Sequence, residues 1–254
     1  MKNKNWTREE LLACFNLYCR IPFGKLHSKN PKIIAAAVSL RRTPGAVAMK
    51  LVNFASFDPV HRERNIKGLS NVSRLDRVIW AELETTPNKL AAESEAAYER
   101  LLSRPETTEN EEISLPSGIT EKTAGRKMRL VQNFFRRTVL ASYGYRCSFC
   151  NLEVFPLLNA SHIIPWSASV SLRADPRNGL CLCALHDRAF DRGLLAVDRD
   201  FRLLLSKQLK IKTLLPVHQA AFLDLEGKRI ELPDRFLPMP TSLEHHRTRI
   251  FKLD

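Results

Sequence analysis

Three neighbouring stretches decide how this chain is read: Ala160-Ser-His162-Ile-Ile-Pro-Trp166, Asp175-Pro-Arg-Asn178-Gly-Leu-Cys-Leu-Cys183 and Leu185-His-Asp187-Arg-Ala-Phe-Asp191-Arg-Gly193. The first reads as a short strand stopped by a Pro turn. The second is a turn entering another strand. The third opens a helix and ends it at a glycine. Strand, loop with Asn, strand, and helix with His and Asp form one compact unit.

Two pairs of soft donors flank this unit. Cys147-Ser-Phe-Cys150 and Cys183-Ala-Leu-His186 have the same spacing and are separated by 33 positions. Two thiolates two residues apart can grip one tetrahedral ion, so the four side chains predict a structural Zn²⁺ site. Cys181 is a competing ligand, because it shares a strand face with Cys183. The other reading of these residues is buried apolar thiols, which also suits Cys14 and Cys19 in the first helix. Disulfides are disfavoured by the expected cytoplasmic location. That expectation rests on an amino terminus without an apolar signal core and on the lack of any apolar run near the ~20 residues of a membrane span.

Charge is distributed in blocks across the 254 residues. Residues 1–80 carry 15 Lys/Arg against 5 Asp/Glu, residues 81–125 carry 4 against 10, and residues 126–254 carry 21 against 12. Two basic bodies joined by an acidic connector favour a polyanionic partner, since neutralised phosphates release counterions.

The first body reads as a helical bundle. Thr7-Arg-Glu-Glu10 has the form of a capping box, with Trp6 placed to staple onto Leu11. Asn30-Pro31 and Thr43-Pro44 start the second and third helices. In the third helix Val47, Leu51 and Phe54 form the buried stripe, which turns Gly45, Met49, Lys50 and Asn53 outward. A fourth helix runs from Ser73 to about Leu83. Residues 84–125 read as the connector, helical and charged at first and then polar and acidic through 104–112. A basic helix from about Lys127 to Tyr143 turns Leu130, Phe134 and Val139 to the core, with Arg126, Arg129, Arg136 and Arg137 facing solvent or phosphate. Residues 216–254 read as an irregular extension with a final basic helix.

The stretches around His162, Asn178 and Asp187 resemble the HNH (ββα-metal) nuclease family over roughly residues 126–215, and more closely its restriction-type branch. The resemblance implies an α+β protein: a helical bundle (1–83), a connector (84–125), a zinc-stapled ββα-metal nuclease domain (126–215) and a packed extension (216–254). It implies that His162 is the general base, that Asn178 ties the loop which orients it, and that Asp187 ligates a catalytic Mg²⁺ or Mn²⁺. Arg188 and Arg192 would hold the scissile phosphate. Ser161 stands where many relatives have an acidic or His ligand, which makes Asp191 a candidate for an extra one. Trp6-Thr-Arg-Glu-Glu-Leu11 and Arg41-Arg-Thr-Pro-Gly-Ala-Val47-Ala-Met-Lys50-Leu51 are similar to helix-turn-helix or Myb-like modules. That resemblance implies DNA contacts from Arg41, Arg42, Lys50 and Asn53. The expected partner is double-stranded DNA, cut by a homodimer if both strands are cleaved. The alternatives are a zinc-containing DNA-binding regulator with an inactive nuclease fold, or a nicking or homing-type nuclease.

Overall fold

The computed structural model describes residues 5–63, 65, 72–102, 119–210 and 215–252; of residues 119–124 it gives the backbone alone. The chain divides into two compact units, residues 1–135 and 136–254.

The first unit is all helix among its described residues. Helix α1 (Arg8–Arg20) starts on the capping box foreseen from Thr7: the Glu10 amide donates to Thr7 Oγ1 at 3.2 Å, and the Thr7 amide donates to Glu10 Oε2 at 2.9 Å. Helices α2 (Pro31–Ser39) and α3 (Pro44–Ala55) start on the side chains of Asn30 and Thr43, each followed by a Pro at the first helical position. A short α4 (Pro59–Glu63) precedes α5 (Arg74–Thr85), capped by Ser73. An aromatic cluster of Phe15, Tyr18, Phe54 and Trp80 fills the centre, with Phe134 stacked on Phe15 at 6.2 Å.

Helix α6 (Pro87–Leu101) corrects the reading of residues 84–125 as a connector from its first residue. It packs closely along α1, burying Leu90, Ala91, Ser94, Glu95 and Ala97. Small residues on this face let the helix axes approach. Asn16 bonds Ser94 Oγ at 3.2 Å, and buried Glu95 pairs with Arg20. Residues 104–112, the most acidic stretch of the expected connector, lie outside the described residues.

A second correction concerns α3. Lys50 and Asn53 do not point outward. Lys50 Nζ sits 2.8 Å from Asp76 Oδ2, and Asn53 Nδ2 lies 3.5 Å from the same carboxylate, which is 0% exposed. Their polarity belongs to a buried ion pair between α3 and α5. Arg42 is likewise engaged: it stacks on Trp6 at 4.1 Å and donates to Glu10 Oε2 and the Asn5 carbonyl, both at 2.9 Å. Trp6 is therefore a platform for Arg42. Arg41 stays exposed, at φ 53°. Lys50→Met should leave Asp76 buried without its cation and destabilise the protein by about 3–5 kcal/mol. Adding Asp76→Asn should recover part of the lost thermal midpoint; no loss in the single variant would contradict a stabilising pair.

The second unit starts within α7 (Ile119–Ser142), longer than the helix expected from Lys127. Strands β1 (Leu158–His162) and β2 (Gly179–Cys183) pair antiparallel, with His162 opposite Gly179 and Asn159 opposite Leu182. Helix α8 (Ala184–Asp191) follows β2 directly and packs on both strands. A second hairpin, β3 (Leu195–Val197) and β4 (Leu203–Leu205), comes next, then α9 (Pro216–Ala221) and α10 (Pro240–Arg249).

Gly193 ends α8 at φ 71°, and a Cβ there would lie 2.0 Å from the Ile250 carbonyl oxygen. Glycine is required on both counts. The C-terminal segment thus lies directly against the end of α8, and His246 of α10 stacks on Phe190 with centroids 3.7 Å apart and donates Nε2–H to its carbonyl at 3.1 Å. Burial, the largest cause, lowers the His246 pKa to about 4. Because the folded value lies below the unfolded ~6.5, the unfolded chain takes up a proton first as pH falls. Stability is therefore lost between about pH 6.5 and 4, by up to about 3 kcal/mol. Denaturant midpoints at pH 7 and pH 4.5 should differ less in His246→Gln than in the parent protein; equal differences would exclude this origin.

Candidate functional site

The loop from Cys147 to Cys150, the end of β2 and the first turn of α8 place three thiols and one imidazole around a common centre. The ligand atoms of Cys147, Cys150, Cys183 and His186 all lie within 4.8 Å of one another. His186 Nδ1 is 3.2 Å from Cys183 Sγ and 3.5 Å from Cys147 Sγ, and Cys150 Sγ is 4.0 Å from Cys183 Sγ. Tetrahedral Zn²⁺ with ordinary Zn–S and Zn–N lengths sets edges of roughly 3.6–3.8 Å, so the donors fit that ion. His186 Nε2 donates to the Ala221 carbonyl at 2.8 Å, fixing the tautomer that turns Nδ1 to the centre.

The thiols and imidazole show what such packing does to charge. Hydrogen bonds from Cys147 and Cys150 hold the Cys183 thiol far below its usual range, whereas bonds to Cys147 and Cys183 push Cys150 up. Burial opposes charging His186, yet its bonds to Cys147 and Cys183 raise it to about 10. A Zn²⁺ at this centre would take the sulfurs as thiolates and the imidazole as a neutral donor, so its binding would release protons. Cys181 is outside the group of four: it is fully buried on β2, and burial raises its thiol to about 12.

His162 ends β1. Its Nε2 lies 3.0 Å from the Arg173 carbonyl, which can only accept, so Nε2 carries the hydrogen and Nδ1 the lone pair. The ring meets Trp166 edge to face, centroids 5.6 Å apart. Burial lowers the His162 pKa below 6.5, opposed by the Arg173 bond, which favours a neutral imidazole at pH 7. Asn178, 1% exposed, clamps the loop after the strand. Its Oδ1 accepts from the Ile164 amide at 2.9 Å, its Nδ2 donates to the Ile164 carbonyl at 3.0 Å, and its own carbonyl accepts from Ile163.

Asp187 projects from the first turn of α8, and Asn159 of β1 donates to its Oδ2 at 2.8 Å. The hairpin therefore links the helix carboxylate to the strand that carries His162. Asp191 lies one turn further on, exposed as a residue but with its carboxyl pushed up, first by partial burial and then by the Asp187 charge. Ser161 is buried opposite Leu180, and its hydroxyl has no hydrogen-bond partner among the described residues. Arg188 and Arg192 are exposed on or beside α8, and Arg137 is exposed on α7. Arg136 is held inward, donating to the Leu158 carbonyl at 2.8 Å, which makes it a support for β1.

Residues 147–198 match the HNH endonuclease family. The matched segment runs from the first ligand of the Cys₃His group to the residue after β3, so the HNH segment contains the β1–β2 hairpin, α8, His162, Asn178 and Asp187. No curated protein matches the chain. Among the described residues no helix is long and apolar enough to cross a membrane.

Two residues of the HNH segment escaped the sequence reading. Asn159 gave no signal, because its partner is 28 positions away and its register against β2 is a tertiary fact. Arg173 did leave one: it is the only cation between His162 and Arg177.

Proposed function

We propose that this chain is a metal-dependent DNA endonuclease of restriction or phage-defence type, in which His162 is the general base. The observation that carries this is the coincidence of the HNH family match with a folded hairpin and helix in which His162 is oriented, Asn178 is clamped and Asp187 is held. His162 Nδ1, neutral at physiological pH, takes a proton from the attacking water. Asn178 keeps the loop rigid, so the imidazole does not turn away. Arg188 and Arg192 meet the phosphate from α8.

The Asp187 carboxylate, held by Asn159, is a hard oxygen donor that would suit Mg²⁺ or Mn²⁺, whereas the Cys₃His group suits Zn²⁺. Held by Asp187, such an ion would supply positive charge to offset the negative charge developing on the phosphate. The products are then 5′-phosphate and 3′-hydroxyl ends. The helical unit is the DNA-holding part, with Arg41 its exposed cation at the turn before α3 and Lys50, Asn53 and Arg42 its internal supports.

Supercoiled plasmid with Mg²⁺ or Mn²⁺ should be converted to linear DNA, and the chelated control should not. Linear product formed without an accumulating open circle would favour a homodimer cutting both strands. Open circles alone would replace the restriction reading with a nicking enzyme. DNA binding without metal-dependent cleavage would overturn the enzyme and leave a zinc-containing DNA-binding regulator.

A further inference from the structure

Arg173 closes the loop after β1 in three ways. Its carbonyl accepts from His162 Nε2 at 3.0 Å, its Nε donates to the Trp166 carbonyl at 3.0 Å, and its guanidinium lies over the Trp166 ring, 4.8 Å from the centroid. The same indole meets the His162 ring at 82°. One residue therefore fixes the imidazole through its backbone and sets its guanidinium on the Trp166 ring that the imidazole also meets.

A guanidinium has five N–H donors, and the loop uses the one on Nε. The two Nη groups have no protein acceptor among the described residues, although the residue is half-buried. Neighbouring arginines are differently placed. Arg177 is committed to Asp175, through Nε at 3.0 Å and Nη2 at 2.8 Å, and Arg136 to the Leu158 carbonyl. A planar fork of unpaired donors, stacked on an aromatic ring, matches the tetrahedral oxygens of a phosphodiester.

We propose that Arg173 binds a DNA phosphate beside His162, its Nη groups gripping the oxygens while its Nε and Trp166 hold the fork in place. This rests on the nuclease reading. It gives the phosphate a cation on the loop of the general base, in addition to those on α8.

The test compares full-length Arg173→Ala and Arg173→Lys with the parent protein in two measurements. Binding to a duplex is followed against salt in EDTA, and single-turnover cleavage is followed with Mn²⁺. Arg173→Ala should reduce the slope of log affinity against log salt by about 0.9, one phosphate contact. Its cleavage should fall about 100-fold. Arg173→Lys retains the charge and should keep the parent slope, but its point charge lacks the fork, so cleavage falls roughly tenfold. An unchanged slope in Arg173→Ala overturns the proposal whatever the rate, because the residue would then only prop the loop. If the slope drops while the parent cuts no DNA, the phosphate contact stands and the nuclease reading fails. If the parent cleaves and the slope is indifferent to Arg173, the reverse holds.

Discussion

Cys183→Ser should remove bound zinc and unfold residues 136–254. Cys183 ends β2 and caps α8, so its thiolate ties both elements to the Cys147–Cys150 loop. Structural zinc sites of this kind contribute on the order of 10 kcal/mol or more, as much as the whole stability of an ordinary domain. The strands add little on their own, because the two hairpins among the described residues are short and have only two strands each. Metal analysis of the parent protein should give one zinc per chain, and the variant none, with loss of the Trp166 fluorescence signature and rapid proteolysis. Cys181→Ala is the control. It removes a buried thiol outside the ligand group, so zinc should remain and stability should fall only by about 1 kcal/mol. Parent protein without zinc, or a folded Cys183→Ser, would reduce the cluster to four packed side chains.

The sequence signals that worked were local. Thr7, Asn30, Thr43 and Ser73 mark helix starts because a cap is satisfied within three residues. The Cys-x-x-Cys and Cys-x-x-His spacings work similarly, each pair being set by a single turn, although nothing local showed that Cys183 rather than Cys181 would be the third thiol. What failed was non-local. Lys50 and Asn53 looked like outward, DNA-reading groups because polar side chains on a helix usually meet water; only Asp76, on another helix, turns that face inward. Helix α6 looked like a connector because its buried face is made of Ala and Ser, which carry little hydrophobic signal and instead permit close packing on α1. Asn159 was invisible for the same reason, since its role is set by strand register and by where α8 places Asp187.

His162→Ala should slow metal-dependent cleavage by about 10²–10⁴-fold while leaving DNA binding and zinc content unchanged. A positioned general base contributes about 10²–10⁴-fold, and the proposed function gives that role to His162, whose ring is held by the Arg173 carbonyl on one nitrogen and by the Trp166 ring. Removing it leaves Asp187, Asn159 and the clamping Asn178 in place, so the loss falls on the rate and not on affinity. The pH profile gives a second, sharper reading. Burial lowers the His162 pKa, so the neutral imidazole persists as pH falls, and the acid limb of cleavage by the parent protein should have its midpoint below 6.5. In His162→Ala the residual rate should lose that limb, because the titrating base is gone. His245→Ala, on α10, should retain both rate and limb. A His162→Ala protein that cuts DNA at the parent rate, or that keeps the same acid limb, would assign the base to another residue and remove the reason for reading this hairpin and helix as a catalytic centre.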